Sequence, residues 1–106
     1  MTYKELSSKL KIMADPSRLE ILDLLSCGEL CAYDLLEHFS FSQPTLSHHM
    51  KSLVEKRLVL SRKDGTKTMY RLNHALITDV TGQLSLLGSN HSPCICEQIQ
   101  KGTCES

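Results

Sequence analysis

Along most of this chain the apolar residues recur at helical spacing, and only one stretch reads as strands. Leu6, Leu10 and Met13 stand at i, i+4 and i+7, which predicts an amphipathic first helix over residues 3–13. Asp15-Pro16 then opens a second helix, since Asp caps free N–H groups and Pro presets the first helical φ. Leu19, Ile21, Leu22, Leu24 and Leu25 form a stripe too broad for a surface helix. This second helix is therefore expected to be central, ending at Cys27-Gly28, where Gly can take the left-handed cap. A short third helix over residues 32–38 buries Leu35 and Leu36, with Phe39 beside them.

Ser40-Phe41-Ser42 reads as a tight polar turn, with Ser42 the N-cap of a fourth helix over residues 43–56. Leu46, Met50, Leu53 and Val54 fall on one face of that helix, leaving Pro44, Thr45, His48, Lys51, Ser52 and Glu55 opposite. Two helices joined by a few residues, the second with a polar face, make a helix-turn-helix. Residues 59–63 and 68–72 then predict two strands around Asp64-Gly65, a strong hairpin-turn signal. A basic hairpin directly after such a helix is a wing. Leu76, Val80, Leu84 and Leu87 restore a helical pattern over 74–87, although Gly82 weakens it by roughly 1 kcal/mol. The predicted fold is mainly α with a small β-hairpin, in the order ααααββα: a winged helix-turn-helix. Residues 1–87 form the DNA-binding and dimerisation domain, and 88–106 a patternless cysteine-containing tail.

Composition adds compartment and charge. At 106 residues with 41% hydrophobic and 23% charged residues, the chain is expected to be one globular domain. No apolar run approaches the roughly 20 residues needed to span a bilayer, and the lysine-dotted N-terminus does not resemble a secretory signal. A cytoplasmic location with no membrane partner is expected, where the five cysteines stay reduced and serve metal, redox or packing roles. Net charge is zero but unevenly spread. Residues 1–42 carry −3, residues 43–71 carry +5 and residues 72–106 carry −2. The positive charge sits where a polyanion would dock.

The N-terminal part of a recognition helix must set hydrogen-bonding groups against base edges in the major groove of double-stranded DNA. Here those are Gln43, Thr45, Ser47 and His48. Lys51 and the wing's Arg62, Lys63 and Lys67 suit phosphates, which position a protein without specifying sequence.

The stretch over residues 5–73, with SQPTLSHHMKSL at its centre, closely resembles the arsenic-repressor (ArsR/SmtB) family of winged helix-turn-helix metalloregulators. The tail CICEQIQKGTC is similar to that of arsenic-responsive repressors from Gram-positive bacteria. The resemblance implies a homodimeric repressor built on the first and last helices, gripping a dyad-symmetric operator and released by a metal or metalloid. In many family members the third-helix motif reads ELCxCDL, and its two cysteines bind the inducer. This chain reads GELCAYDL: Cys31 matches the first position, but Tyr33 replaces the second cysteine.

Arsenite, as As(III), is soft and takes three thiolates. The tail supplies Cys94, Cys96 and Cys104, enough for As(III) or Sb(III) without any other residue, and no organic cofactor is expected. Cys31, at the start of the third helix where the dipole favours a thiolate, is an alternative contributor. Cys27 reads as a small buried side chain. The family's other metal site, Asp and His on the last helix, does not fit the spacing of Asp79, His74 and His91. His38 and His74 read as surface or capping groups, and His48 and His49 as parts of the recognition-helix surface. The same fold sensing Cd, Pb or Zn, or thiol oxidation or persulfide, is one rival, and a structural zinc knot in the tail another. A thiol oxidoreductase is more distant, for there is no CxxC at a helix start and no Cys-His-Asp grouping.

Overall fold

The computed structural model of the chain describes residues 1–89. The tail cysteines Cys94, Cys96 and Cys104 lie outside the described residues, as does His91. Five helices form where the apolar periodicity put them: α1 (Tyr3–Met13), α2 (Pro16–Leu25), α3 (Ala32–His38), α4 (Gln43–Glu55) and α5 (His74–Leu87). Three have side-chain N-caps, each relieving an unpaired N–H. Thr2 Oγ1 accepts from Glu5 N at 3.1 Å, Asp15 Oδ2 from Arg18 N at 3.0 Å, and Asn73 Oδ1 from Leu76 N at 3.3 Å. Ser42 occupies the N-cap of α4 but caps nothing; its hydroxyl pairs with Thr45 Oγ1 at 3.1 Å.

The hairpin has one more strand than expected. Leu30–Cys31 forms a short β1 that joins β2 (Val59–Asp64) and β3 (Lys67–Leu72) in an antiparallel sheet of order β1-β3-β2. Two residues carry no periodicity, so β1 was invisible to pattern reading. In the β2–β3 ladder Asp64 pairs with Lys67, so the turn is Gly65-Thr66, one position later than the Asp-Gly signal suggested. Gly65 takes φ 64°, the positive value that a II′ hairpin turn needs at its first position.

The core lies between α2, α3 and α4 and is closed by the sheet. Ile21, Leu22 and Leu25 meet Leu35, the α4 face Leu46, Met50 and Leu53, and then Leu58, Val59 and Leu72. The broad stripe of α2 proves narrower than expected, because Leu19 is 51% exposed while Ile21 and Leu25 take the central places. Cys27 is exposed rather than buried. The helix stops at Leu25, and Cys27 falls in the following turn, its N–H bonded back to Leu24 O, where the side chain faces outward. The turn before α4 is not simply polar either, since Phe41 packs against the core and stacks on Phe39 at 4.6 Å. Among the described residues, no helix is long and apolar enough to cross a membrane.

Leu53 is wholly inaccessible at the centre of this core. Leu53→Ala should lower unfolding free energy by about 2–5 kcal/mol in urea melts, through lost burial and a residual cavity. A loss below about 1 kcal/mol would mean that α4 is not held by this face.

Candidate nucleic-acid interface

With Leu46, Met50 and Leu53 buried, α4 has one outward arc to offer. Gln43, Thr45, Ser47, His48 and Lys51 are all exposed on it. At about 100° per residue, Gln43 and Ser47 lie on the edge nearer the wing, Lys51 and His48 at the middle, and Thr45 on the far edge. The wing-facing edge borders a cleft of about 470 Å³ lined by Gln43, Ser47, Thr66, Lys67, Thr68 and Tyr33 among others. The structure thus brings Gln43 and Ser47 of α4 together with Lys67 of the wing. Thr45, His48 and Lys51 share the helix but do not line that cleft.

The wing cations differ in what they touch. Arg62 is engaged: Nε donates to Glu29 Oε2 at 3.0 Å and Nη2 to Glu29 Oε1 at 2.6 Å. The same guanidinium holds the Glu29 carboxyl below its ordinary value. Lys63 Nζ donates to Thr68 Oγ1 at 2.8 Å, across the hairpin. Lys67 is exposed on the cleft rim.

Behind the outward arc, α4 is tied to the start of α2. Arg18 donates from Nε to His49 Nδ1 at 3.1 Å and from Nη1 to Ile12 O at 3.3 Å. His49 also meets the Phe41 ring at 5.5 Å. It is therefore half-buried support for the recognition helix, not part of its surface. His48 remains exposed, and His38 is a surface group paired with Glu20. Arg18 and His49 stand 31 residues apart, so no local pattern could have joined them. Phe41, read as part of a polar turn, was missed as support, although its place two residues after Phe39 was a signal that could have found it.

Among the described residues, no group of three or more His, Cys, Asp and Glu could hold a metal ion. Cys31 is buried, and its sulfur donates to Asp34 Oδ2 at 3.1 Å, an oxygen that also accepts from Cys31 N at 3.2 Å. The thiol hydrogen bond, then the backbone one, hold the Asp34 carboxyl below its ordinary value. The sulfur is thus engaged with a carboxylate at the start of α3. Tyr33, where a second thiol would stand, is 66% exposed. A three-thiolate set does not fit α3.

A helix-turn-helix with an exposed polar arc, flanked by a basic hairpin, defines a winged helix-turn-helix DNA-binding protein. The family described as "Bacterial regulatory protein, arsR family" matches residues 15–61. An arsenical resistance operon repressor of Staphylococcus aureus is 62% identical over 98% of this chain and all of its own length. The chain belongs to the arsR family of bacterial regulatory proteins, which are transcriptional regulators and not enzymes. Two solved structures are similar. A possible transcriptional regulator for arsenical resistance has TM-score 0.71 at 26% identity, covering 89% of this chain and 98% of its own. The homodimeric winged helix-turn-helix domain of a Mycobacterium bovis protein has TM-score 0.67 at 25% identity, covering 84% and 82%.

Burial lowers the pKa of His49 from its ordinary 6.5, with Arg18 and His48 adding to the effect and Asp15 opposing it. The stability tied to a neutral His49 is therefore complete above about pH 6.5 and lost as pH falls through the lowered value. His49→Gln keeps an acceptor for Arg18 but cannot titrate. Its urea midpoint should fall less between pH 7.5 and 5 than that of the native protein. Equal falls would contradict the buried, neutral role.

Proposed function

We propose that the chain is a cytoplasmic repressor that binds double-stranded operator DNA as a homodimer and is released by thiolate coordination of As(III). The observation that carries the DNA half is the convergence of Gln43, Ser47 and Lys67 around one cleft between α4 and the wing. In this reading Gln43, Thr45, Ser47 and His48 meet base edges, while Lys51, Lys63 and Lys67 meet phosphates. Arg62 serves DNA less directly, given its bond to Glu29.

The dimer half rests on apolar surface left open at one end of the molecule. Tyr3 is 65% exposed, and Leu84, Leu86 and Leu87 are 38%, 50% and 70% exposed. Gln83 Nε2 donates to Met1 O at 3.0 Å, so this part of α5 lies beside the start of α1. A second copy meeting the same patch would bury it with twofold symmetry.

The inducer half draws on the arsenical resistance named for the Staphylococcus relative, and on the chemistry of the thiols. Cys94, Cys96 and Cys104 would hold As(III), with Cys31 able to join only by giving up its bond to Asp34. Release requires that As(III) bind the free dimer more tightly than the DNA-bound one.

One titration tests the whole. The probe is a duplex selected from a random library by the native protein, followed by fluorescence anisotropy with and without arsenite. Gln43→Ala should cost about 1–3 kcal/mol and relax specificity, whereas Lys67→Ala should weaken all sequences alike. Arsenite should lower native affinity by about 5- to 150-fold. Cys96→Ser should keep DNA binding and lose most of that response. A full arsenite response in Cys96→Ser would overturn the tail site, and unchanged binding in both Gln43→Ala and Lys67→Ala would overturn the DNA surface.

A further inference from the structure

The wing's outer half has nothing apolar to hold it. Val59 and Leu72, at its base, are buried, but every residue from Ser61 to Lys67 is exposed. A two-stranded hairpin without a packed face is marginal in water, so its direction has to come from elsewhere. Its third strand supplies part of this, with Cys31 paired to Met69 and Leu30 to Tyr70. Lys63 and Thr68 bond within the hairpin and tie it to nothing else. Among the described residues, the bond from Arg62 to Glu29 is the side-chain hydrogen bond that joins segment 61–68 to the rest of the molecule.

That bond spans the sheet. Arg62 pairs with Met69 in the β2–β3 ladder, and Met69 pairs with Cys31 on its other side. Directly opposed residues share a face of an antiparallel sheet, and so do residues two apart on one strand. Glu29 directly precedes β1, and its bond to Arg62 straps the outer strands together over β3. The two parallel contacts, Nε to one oxygen and Nη2 to the other, form the planar fork that only arginine makes with a carboxylate. Arg71, which also faces the Glu29 carboxylate electrostatically, adds to the attraction without a bond of its own.

We propose that Glu29 is a positioning residue for DNA binding: through Arg62 it sets the direction of the wing, so that Arg62 orients the hairpin while Lys63 and Lys67 meet phosphate. This rests on the DNA-binding reading of the preceding subsection, and it runs against simple charge counting. Glu29 is an anion beside a polyanion's site, so by charge alone its loss should strengthen binding.

The test compares Glu29→Ala, Arg62→Ala and the charge-neutral double variant on the selected duplex, as a function of salt. Positioning predicts that all three weaken binding by a similar factor, about two- to fivefold, the scale of an exposed ion pair. It predicts no change in the salt slope of Arg62→Ala. A direct phosphate contact from each protomer would instead remove about 1.8 from that slope. Restoration of native affinity in the double variant, a slope loss of that size, or native affinity in both single variants would each overturn the proposal. Amide hydrogen exchange of the free protein supplies a readout without DNA. Exchange over residues 61–68 should quicken in both single variants, while unchanged exchange would overturn the strap. Failure of the native protein to bind any duplex would sink the DNA reading, and the exchange data would still decide whether Glu29 holds the wing.

Discussion

The recognition surface of this molecule depends on the burial of one face of α4. Leu46, Met50 and Leu53 are inserted between Ile21, Leu22 and Leu25 on one side and Leu58 and Val59 on the other. A helix so placed cannot rotate without exposing three large side chains, each worth about 1.5–3 kcal/mol of burial. The polar arc from Gln43 to Thr45 is held outward by that constraint. Such a helix offers its side chains in a defined direction at little entropic cost on binding.

Apolar burial sets which face looks out, but it does not set how the neighbouring pieces are angled. Three polar ties do this, each joining parts far apart in sequence. Arg18 reaches from α2 to His49 on α4 and to the carbonyl of Ile12 at the end of α1. Asn73 caps α5 and donates from Nδ2 to Arg57 O at 2.8 Å, fixing the start of α5 to the turn before the wing. That turn contains Arg57 at φ 60°, an uncommon value for a side-chain-bearing residue, held by the Asn73 bond and the core on either side. Glu29 and Arg62 do the same for the wing. Each bond is modest, and their effect is directional more than energetic.

Helix existence and type were legible because each helix has an apolar stripe at a constant period and most have a recognisable start. The recognition surface was legible for the same reason, since the complement of a buried stripe is an exposed one. The errors fall where a residue's fate depends on distant chain. Leu19 and Cys27 looked like core, yet the core is filled by Ile21, Leu22 and Leu25 with Leu24 packed against it, and Leu19 and Cys27 stay exposed. Arg62 looked like a free cation until the fold brought Glu29 within bonding distance, 33 positions away. His49 looked like surface until Arg18 and Phe41 closed over it. Cys31 was correctly placed at the start of α3, but the carboxylate of Asp34, three residues on, changes what its sulfur does there. The tail thiols stand beyond the described residues, and the reading of them rests on spacing, thiolate chemistry and likeness to the arsenical resistance repressors.

The central claim is that α4 and the wing meet DNA together, in two copies related by a twofold axis. Hydroxyl-radical footprinting of the native protein on a selected duplex tests this most directly, because it reports every contacted sugar at single-nucleotide resolution. The account predicts two symmetric protected regions on one face of the duplex, their centres separated by one helical turn, about 34–36 Å, or a whole multiple of it. A single asymmetric protected region, or uniform protection with no phase, would contradict it.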